Sequence, residues 1–259
     1  MKVLAIVFST RRDADSQTLL MTEEICRKIR KYTCADDVAV TEILTMSETP
    51  VRPCTGCKAC FRKGSCPQDE TDGMQVLRRK MEDCDALLVA TPVYMAMVSG
   101  WCKTFLDRCA SYCHVFELLG KPCLVLSVTG ISGGERAGDY LSECMEIMGC
   151  AMAGMLPLQK VGEGLVIGKK ETEDAMDAAV TALFHAMETP EQYISPRAED
   201  QFTGIQRFFR SREIILTLSG RVCTSEINTF RSRGFMHCPS LREALRREGG
   251  SGHEESGEE

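Results

Sequence analysis

Residues 2–20 read KVLAIVFSTRRDADSQTLL, and this stretch sets the expectation for the fold. Its first part, residues 2–8, is a short apolar run rich in β-branched side chains, which is typical of a buried strand. A polar loop follows at residues 9–15. Apolar side chains then recur at helical spacing over residues 16–31, with Ser16 in position to cap the helix. The stretch therefore predicts a strand, a polar loop and a helix in succession.

The same order repeats along the chain. Further apolar strand runs lie at residues 38–44, 86–90, 122–128 and, more weakly, 152–161. Helical patterns lie at residues 73–83, 99–113, 135–148 and 171–187. Strands that alternate with helices predict a doubly wound α/β fold with a five-stranded parallel sheet. Strand runs that are apolar on both faces agree, because helices cover both faces of such a sheet.

The character of the sequence changes after residue 189. We expect residues 1–189 to form one domain, with a Cys-rich loop at residues 45–72. Residues 190–248 are predicted to be a mostly helical C-terminal extension, with a linker at its start and an apolar helix over residues 202–218. The low-complexity, acidic residues 249–259 are expected to be a disordered tail.

Composition narrows the class of protein. The chain has 259 residues, of which 44% are hydrophobic and 26% charged, and its formal net charge is −6. A general nucleic-acid binder would show a basic face, so we expect no nucleic-acid partner. No small-residue cleavage site follows the first apolar run, and no apolar run reaches the ~18 residues of a membrane helix. The expectation is a cytoplasmic protein without a membrane partner.

Ligands of open parallel sheets bind beyond the carboxyl ends of the strands, where three loops are predicted. The first loop opens into a helix and offers hydroxyl, guanidinium and backbone N–H groups, which together suit an anion. It lacks the glycine spacing of dinucleotide and nucleoside-triphosphate loops, which favours a terminal monophosphate. An ordinary polar turn is the alternative for this loop alone. Its candidate residues are Ser9, Arg11, Ser16, Gln17 and Thr18.

The second and third loops suit the rest of such a ligand. The second begins with Thr91-Pro92-Val93-Tyr94, which is expected to end the third strand after residue 90. It places an aromatic side chain beside exposed backbone, as a flat ring would require. The third is glycine-rich, which lets the backbone approach a ligand closely, although a turn and helix cap explains it equally well. The candidate residues are Pro92, Val93, Tyr94 and Met95 in the second loop, and Thr129, Gly130, Gly133 and Gly134 in the third.

Two of these stretches resemble motifs of the NAD(P)H-dependent FMN reductase family. Phe8-Ser9-Thr10-Arg11 with Ser16-Gln17-Thr18 is similar to its phosphate loop, although the family usually has Gly and Pro where this chain has Phe8 and Thr10. Thr91-Pro92-Val93-Tyr94 followed by Lys103-Thr104-Phe105-Leu106-Asp107-Arg108 resembles its flavin-ring loop and the next helix. The resemblance covers residues 1 to about 188.

The resemblance implies a flavodoxin-like fold that binds FMN. The phosphate would lie on Ser9, Arg11, Ser16 and Thr18, and the ring against residues 92–95 and 129–134. It also implies NAD(P)H as co-substrate and a homodimer or homotetramer, which the apolar extension makes physically sensible. No catalytic residue is predicted, because hydride transfer to a flavin needs stacking and orientation more than a protein base.

The cysteine loop is the second distinctive motif. Cys54, Cys57, Cys60 and Cys66 give C-x2-C-x2-C-x5-C followed by Pro67, close to a ferredoxin pattern for [4Fe–4S] clusters. The spacing is similar to that of the iron–sulfur flavoprotein branch of the same family, in which the four cysteines ligate one such cluster. Metal-free thiols and zinc are the alternatives.

The resulting hypothesis is an FMN-dependent oxidoreductase. Electrons would pass from NAD(P)H through FMN to a quinone, another small acceptor or a protein partner. One alternative is an electron-transfer flavoprotein that carries FMN and a [4Fe–4S] cluster and has little NAD(P)H turnover. Another is a cysteine-based redox sensor that has lost its flavin.

Overall fold

The predicted parallel α/β sheet is confirmed by a computed structural model, which describes residues 1–11, 16–32, 40–159 and 169–250. Arg12 of the first loop, the ends of two predicted strands at residues 38–39 and 160–161, and residues 251–259 of the predicted tail lie outside this part. Residues 249–250, which were predicted to begin the disordered tail, instead end the last helix. The strands are β1 (Lys2–Val7), β2 (Val40–Thr45), β3 (Ala86–Tyr94), β4 (Met97–Val98), β5 (Pro122–Thr129) and β6 (Ala151–Gln159).

Five strands run parallel in the order β2-β1-β3-β5-β6, which is the flavodoxin-like order. β1 pairs with both β2 and β3, with Val3 opposite Ala86 and Val7 opposite Ala90 on the β3 side. The chain thus leaves β1 for the outer strand β2 and returns past β1 to β3. This reversal opens a crevice at the carboxyl ends of β1 and β3.

Helices cover both faces of the sheet. The helices are α1 (Gln17–Tyr32), α2 (Ala59–Lys63), α3 (Met74–Asp83), α4 (Gly100–Arg108), α5 (Tyr112–Val115), α6 (Gly134–Ile147), α7 (Lys169–Glu188), α8 (Pro196–Leu218), α9 (Ser225–Ser232) and α10 (Leu241–Gly250). α1 and α7 bury one face of the sheet, and α3, α4 and α6 bury the other. In the described ranges, no helix is both long and apolar enough to cross a bilayer.

The predicted end of the third strand was wrong. β3 continues through Pro92 to Tyr94 and turns back into β4, with Val93 opposite Val98. β1 ends opposite Ala90, so no residue of β1 needs a hydrogen bond from position 92. A proline, which lacks the N–H, is therefore tolerated there. The turn residues, Met95 and Ala96, have φ of 50° and 59°, as a tight two-residue hairpin requires.

The helix predicted over residues 99–113 is two helices, α4 and α5. Ser99 caps α4, because its hydroxyl accepts the Cys102 N–H at 3.2 Å. α4 ends where the Cys109 N–H meets the carbonyls of both Phe105 and Leu106, a tightened last turn. Cys102 and Cys109 are fully buried in the core under the sheet.

The linker expected at the start of the C-terminal extension is largely helical. A 3₁₀ turn occupies Pro190–Tyr193, and α8 already begins at Pro196. The hydroxyl of Ser195 accepts the Ala198 N–H at 3.2 Å, and a proline in the first helical turn is favourable. α8, α9 and α10 enclose a separate core, whose largest side chains are Phe202, Phe209, Phe230 and Phe235, together with Phe116 from before β5.

A buried ion network joins the cysteine loop to α4. The fully buried guanidinium of Arg108 donates to Asp72 at 2.5 Å and to Asp69 at 2.6 Å. It also donates to the carbonyl of Arg52 at 3.0 Å. Arg78 donates to Asp69 at 2.9 Å and to the carbonyl of Arg108 at 2.6 Å. These bonds fix the loop to α3, which precedes β3, and to α4, which follows β3.

Replacing Arg108 with Met should destabilise the fold by about 3–5 kcal/mol, because Asp72 would be left buried without its cation and Asp69 would keep only Arg78. Urea unfolding at neutral pH measures this loss. Lys103→Met is the matched control on the same helix. Lys103 pairs with Asp107 on the exposed surface, and its loss should cost only about 0.2–0.5 kcal/mol.

The same substitution should change the acid dependence of stability. Burial raises the pKa of Asp72, but hydrogen bonds from Arg108 and from backbone N–H groups, with the guanidinium charge, hold it below its usual value. The stabilisation is therefore present above the unfolded-state pKa of about 3.9 and is lost as pH falls through the lower folded-state pKa. Equal acid sensitivity in wild type and Arg108→Met would contradict this account.

Candidate functional site

The three predicted loops meet at the crevice between β1 and β3. They line one cavity, formed by Ser9, Arg11, Ser16, Gln17, Thr18, Pro92, Val93, Tyr94, Val128, Thr129 and Gly130. The predicted residues Met95, Gly133 and Gly134 do not line it. Sequence reasoning missed Val128, which ends the apolar run of β5 and carries no chemical signal of its own.

One end of the cavity has the features of an anion site. Ser9, Ser16 and Thr18 are buried, and the Ser9 and Ser16 hydroxyl oxygens lie 3.4 Å apart. The Ser16 hydroxyl accepts the Leu19 N–H at 3.3 Å, as predicted for the cap of α1. The N–H groups of the first helical turn lack partners within the helix, and among the described residues no hydrogen bond occupies those of Gln17 and Thr18, which suits an anion.

A buried acceptor in the cavity also points to a polar ligand. The side-chain oxygen Oε1 of Gln17 is buried and has no hydrogen-bond partner within the described ranges. An unsatisfied buried acceptor costs about 1–3 kcal/mol. If the Gln17 side chain turned toward the cavity, a ligand that donates an O–H or N–H group to it would remove this cost. A polyhydroxylated chain attached to a phosphate, as in FMN, has such groups.

The other end of the cavity is framed by the β3–β4 hairpin. Tyr94 is half-exposed, and Met95 at the tip is 97% exposed. Ser99, which sequence reasoning did not assign to the site, holds this hairpin beside β1. Its hydroxyl donates to the carbonyl of Phe8 at 2.9 Å, and its N–H donates to the Thr91 hydroxyl at 3.1 Å. A serine just before a helical pattern was the signal that could have identified it.

Gly133 supports the hairpin from the third loop. Its φ is +86°, and a Cβ added there would lie 2.8 Å from the Cα of Ala96. Only glycine permits this approach, and the strained turn at Met95 and Ala96 rests against it. Gly134 begins α6, and its carbonyl accepts the Ser127 hydroxyl at 2.7 Å. Both glycines thus support the site without lining the cavity.

The cysteine loop lies apart from this cavity. Cys54 and Cys57 are exposed, whereas Cys60, on α2, and Cys66 are half-buried and line a second cavity. Among residues whose placement is described, no group of three or more His, Cys, Asp or Glu side chains is arranged to hold a metal ion. The structure therefore does not bring the four cysteines together as ligands.

The chemistry of the donor set nevertheless fits a thiolate-bound metal. All four thiols are free and fall within one loop. The Gly56 N–H approaches Cys54 Sγ at 3.4 Å, and a hydrogen bond from the Ala59 backbone, followed by one from Thr55, lowers the pKa of Cys57. Burial raises the pKa of Cys60. Positive φ at Gly56 and Lys58 turns the loop sharply between the thiols. Among the described residues, these thiols are close in the chain but are not gathered into one group.

Comparisons with known proteins identify the family to which this chain is similar. The chain matches the family described as NADPH-dependent FMN reductase over residues 1–161. It is 32% identical over 139 residues to an iron-sulfur flavoprotein of Archaeoglobus fulgidus, which is 53% of this chain and 60% of the relative. It is 30% identical over 121 residues to one of Methanocaldococcus jannaschii, 47% of this chain and 58% of the relative. The chain thus spans about three-fifths of these curated relatives.

Solved structures show the same fold at low identity. RosB with bound 8-demethyl-8-formylriboflavin-5'-phosphate is 17% identical, with a TM-score of 0.54 over 82% of this chain and 87% of that one. FerB, an NAD(P)H:(acceptor) oxidoreductase of Paracoccus denitrificans, is 19% identical, with a TM-score of 0.52 over 72% and 97%. The family match, which covers more than half of the chain and all three loops, decides the assignment. This chain belongs to the NADPH-dependent FMN reductase family.

Proposed function

We propose that this protein is an FMN-dependent oxidoreductase that takes electrons from NAD(P)H and passes them to a quinone, another small acceptor or a protein partner. The observation that carries the proposal is the single cavity shared by the three carboxyl-end loops. It has an anion site at one end and a strained, exposed hairpin at the other. Membership of the family supports the same cofactor.

Different residues of the cavity would bind different parts of FMN. Ser9, Ser16 and Arg11, with the first turn of α1, would hold the phosphate by charge-assisted hydrogen bonds. Gln17 would accept a hydrogen bond from the polyol chain. The β3–β4 hairpin and the third loop would orient the ring. Bound FMN supplies chemistry that connects a two-electron hydride donor with one-electron carriers.

The ring end of the cavity is suited to receive a nicotinamide. Tyr94 and Met95 leave it open to solvent. The described residues that line the cavity include no histidine and no carboxylate, which fits a hydride transfer that needs orientation more than proton transfer. The apolar side chains exposed near the loops, Met95, Trp101 and Ile131, support the expected homodimer or homotetramer, in which a second copy would cover them.

The cysteine loop favours a further component. We infer that Cys54, Cys57, Cys60 and Cys66 bind a [4Fe–4S] cluster after the loop draws its thiols together. The curated relatives named iron-sulfur flavoproteins support this reading. The same loop supports the second candidate function, an electron-transfer flavoprotein with little NAD(P)H turnover. Zinc or free thiols are the outcomes that iron analysis would separate from both.

Ser16→Ala should weaken FMN binding by about 10- to 150-fold, the equivalent of one hydrogen bond to a charged group. Riboflavin, which lacks the phosphate, should bind the variant and the wild type about equally. Titration of the flavin-free protein, followed by flavin fluorescence, measures both affinities. Ser195→Ala is the matched control, because it removes the cap of α8 away from the cavity. An equal loss for riboflavin would show that Ser16 does not contact the phosphate.

Gly133→Ala should lower FMN affinity by about tenfold or more, because an L-residue at this φ costs roughly 1–2 kcal/mol and its methyl group meets Ala96. The same titration measures the change. Gly204→Ala is the control, since nothing lies within 4 Å of a Cβ added there. Full FMN affinity in Gly133→Ala would mean that the hairpin does not depend on this approach.

A substitution in the cysteine loop should impair one reaction of the protein and leave another unchanged. Cys57→Ser should lose bound iron but keep NAD(P)H oxidation with a quinone, because the thiol lies outside the flavin cavity. Transfer to a one-electron protein acceptor should fall steeply. Steady-state assays under anaerobic conditions measure both reactions. If the FMN-loaded wild type oxidises neither NADH nor NADPH but still exchanges electrons with a protein acceptor, the second candidate function replaces the first.

A further inference from the structure

The C-terminal extension contacts the cysteine loop directly. Its helix α9 packs against α2, the short helix that carries Cys60. The family match ends at residue 161, before the extension begins. One further contact joins the two parts directly, and two others run through His114 of α5.

The first contact pairs a buried carboxylate with a half-buried imidazole. The Nδ1 atom of His114, on α5, lies 2.7 Å from Oε2 of Glu226 on α9. Glu226 is buried, with 7% of its surface exposed. Within the described ranges, its other carboxylate oxygen accepts one hydrogen bond, a long one of 3.4 Å from the Thr224 hydroxyl. A buried carboxylate needs its partner, so Glu226 fixes the imidazole of His114 and is held by it.

The second contact is a pair of tilted and edge-on ring contacts made by His114. The His114 ring lies 4.9 Å from Phe61 of α2, at an interplanar angle of 45°. It lies 6.0 Å from Phe209 of α8 on the edge of the extension's core. His114 therefore sits between the cysteine-bearing helix and the extension. The carboxylate of Glu226 sets the position of this ring.

The third contact is a close approach of backbone. Gly64 ends α2 with φ of +80°, and a Cβ added there would lie 2.6 Å from the Ser225 hydroxyl oxygen at the start of α9. The end of α2 thus lies against the first turn of α9. A side chain at Gly64 would have to displace the Ser225 hydroxyl, and a bulky side chain at Ser225 would press on the end of α2.

These contacts divide the four cysteines into two pairs. Cys60 and Cys66 line a cavity whose opposite wall includes Ser225, Glu226 and Thr229 of α9. Cys54 and Cys57 are exposed and precede the clamped helix. The extension therefore forms part of the wall of the cavity that Cys60 and Cys66 line, whereas Cys54 and Cys57 are exposed.

We propose that residues 190–248 are a clamp on the cysteine loop, with His114 and Glu226 as its positioning residues. The clamp holds α2 in place and shields Cys60 and Cys66. Cys60 and Cys66 are thus the two proposed cluster ligands that stay in place, and Cys54 and Cys57 move toward them when the cluster binds. Only this last consequence rests on the proposed function; the clamp itself is a property of the chain without metal.

Site-resolved alkylation of the metal-free, full-length protein tests the clamp. Iodoacetamide is added under reducing, anaerobic conditions, and the modification of each thiol is followed by mass spectrometry. His114→Ala should raise the rates at Cys60 and Cys66 by about tenfold, because an unpaired Glu226 and a missing ring contact release α2. Cys54 and Cys57 should change little. His114→Gln, which can still donate to Glu226, should restore most of the protection.

Two controls separate a local release from general damage. His185→Ala removes a histidine that pairs with Tyr193 away from the cysteine loop, and it should leave all four rates unchanged. Cys102 and Cys109, buried under the sheet, report on global unfolding. FMN binding is measured separately, so failure of the proposed flavin function would not be confused with failure of the clamp.

A second pair of variants decides the matter if His114→Ala also exposes the core thiols. Ser225→Leu pushes against Gly64, whereas Ser232→Leu places the same side chain at an exposed position at the other end of α9. A selective gain at Cys60 and Cys66 in Ser225→Leu, absent from Ser232→Leu, supports the clamp. Unchanged rates at Cys60 and Cys66 in both His114→Ala and Ser225→Leu would overturn it.

Discussion

The central strands β1 and β3 must be buried on both faces, and every other feature of the molecule depends on this constraint. Val3, Ala5 and Val7 face the α1–α7 layer, while Leu4 and Ile6 face the α3–α4–α6 layer. Strands covered on both sides are joined by helical crossovers, and the order reversal between β1 and β3 then leaves their carboxyl ends open. The first two loops meet at this opening, and the loop after β5 completes it. The cavity is thus a consequence of topology, and its chemistry is supplied by the loop residues.

The sequence predicted most of this frame, because burial on both faces is visible as a continuous apolar run in each strand. It also predicted most residues of the cavity, because polar loops after such runs meet at one sheet edge. It did not predict the β3–β4 hairpin. Met95 and Ala96 carry no turn signal, and their left-handed backbone is supported by Gly133, a neighbour only in space. The network of Arg108 with Asp69 and Asp72 was missed for the same reason, since its members are more than thirty residues apart.

The cysteine loop shows what a sequence motif does not predict, which is where its side chains lie in space. Its spacing identifies a set of donors, but the position of each thiol depends on contacts made elsewhere. The Arg108 network holds the end of the loop near Asp72, and the extension holds α2 through His114 and Glu226. The extension's own start was hidden because Ser195 and Pro196 resemble a linker until their capping role is seen. A flavin cavity and a cysteine loop are thus built on one sheet by different supports.

The most direct test of the account is whether the wild-type chain, purified anaerobically, binds FMN. Its ultraviolet–visible spectrum and the mass of any flavin released on denaturation answer this together. The account predicts flavin absorption bands and FMN in near-stoichiometric amount, either as purified or after addition of FMN. A protein that is free of flavin and takes up none when FMN is added would contradict the central claim.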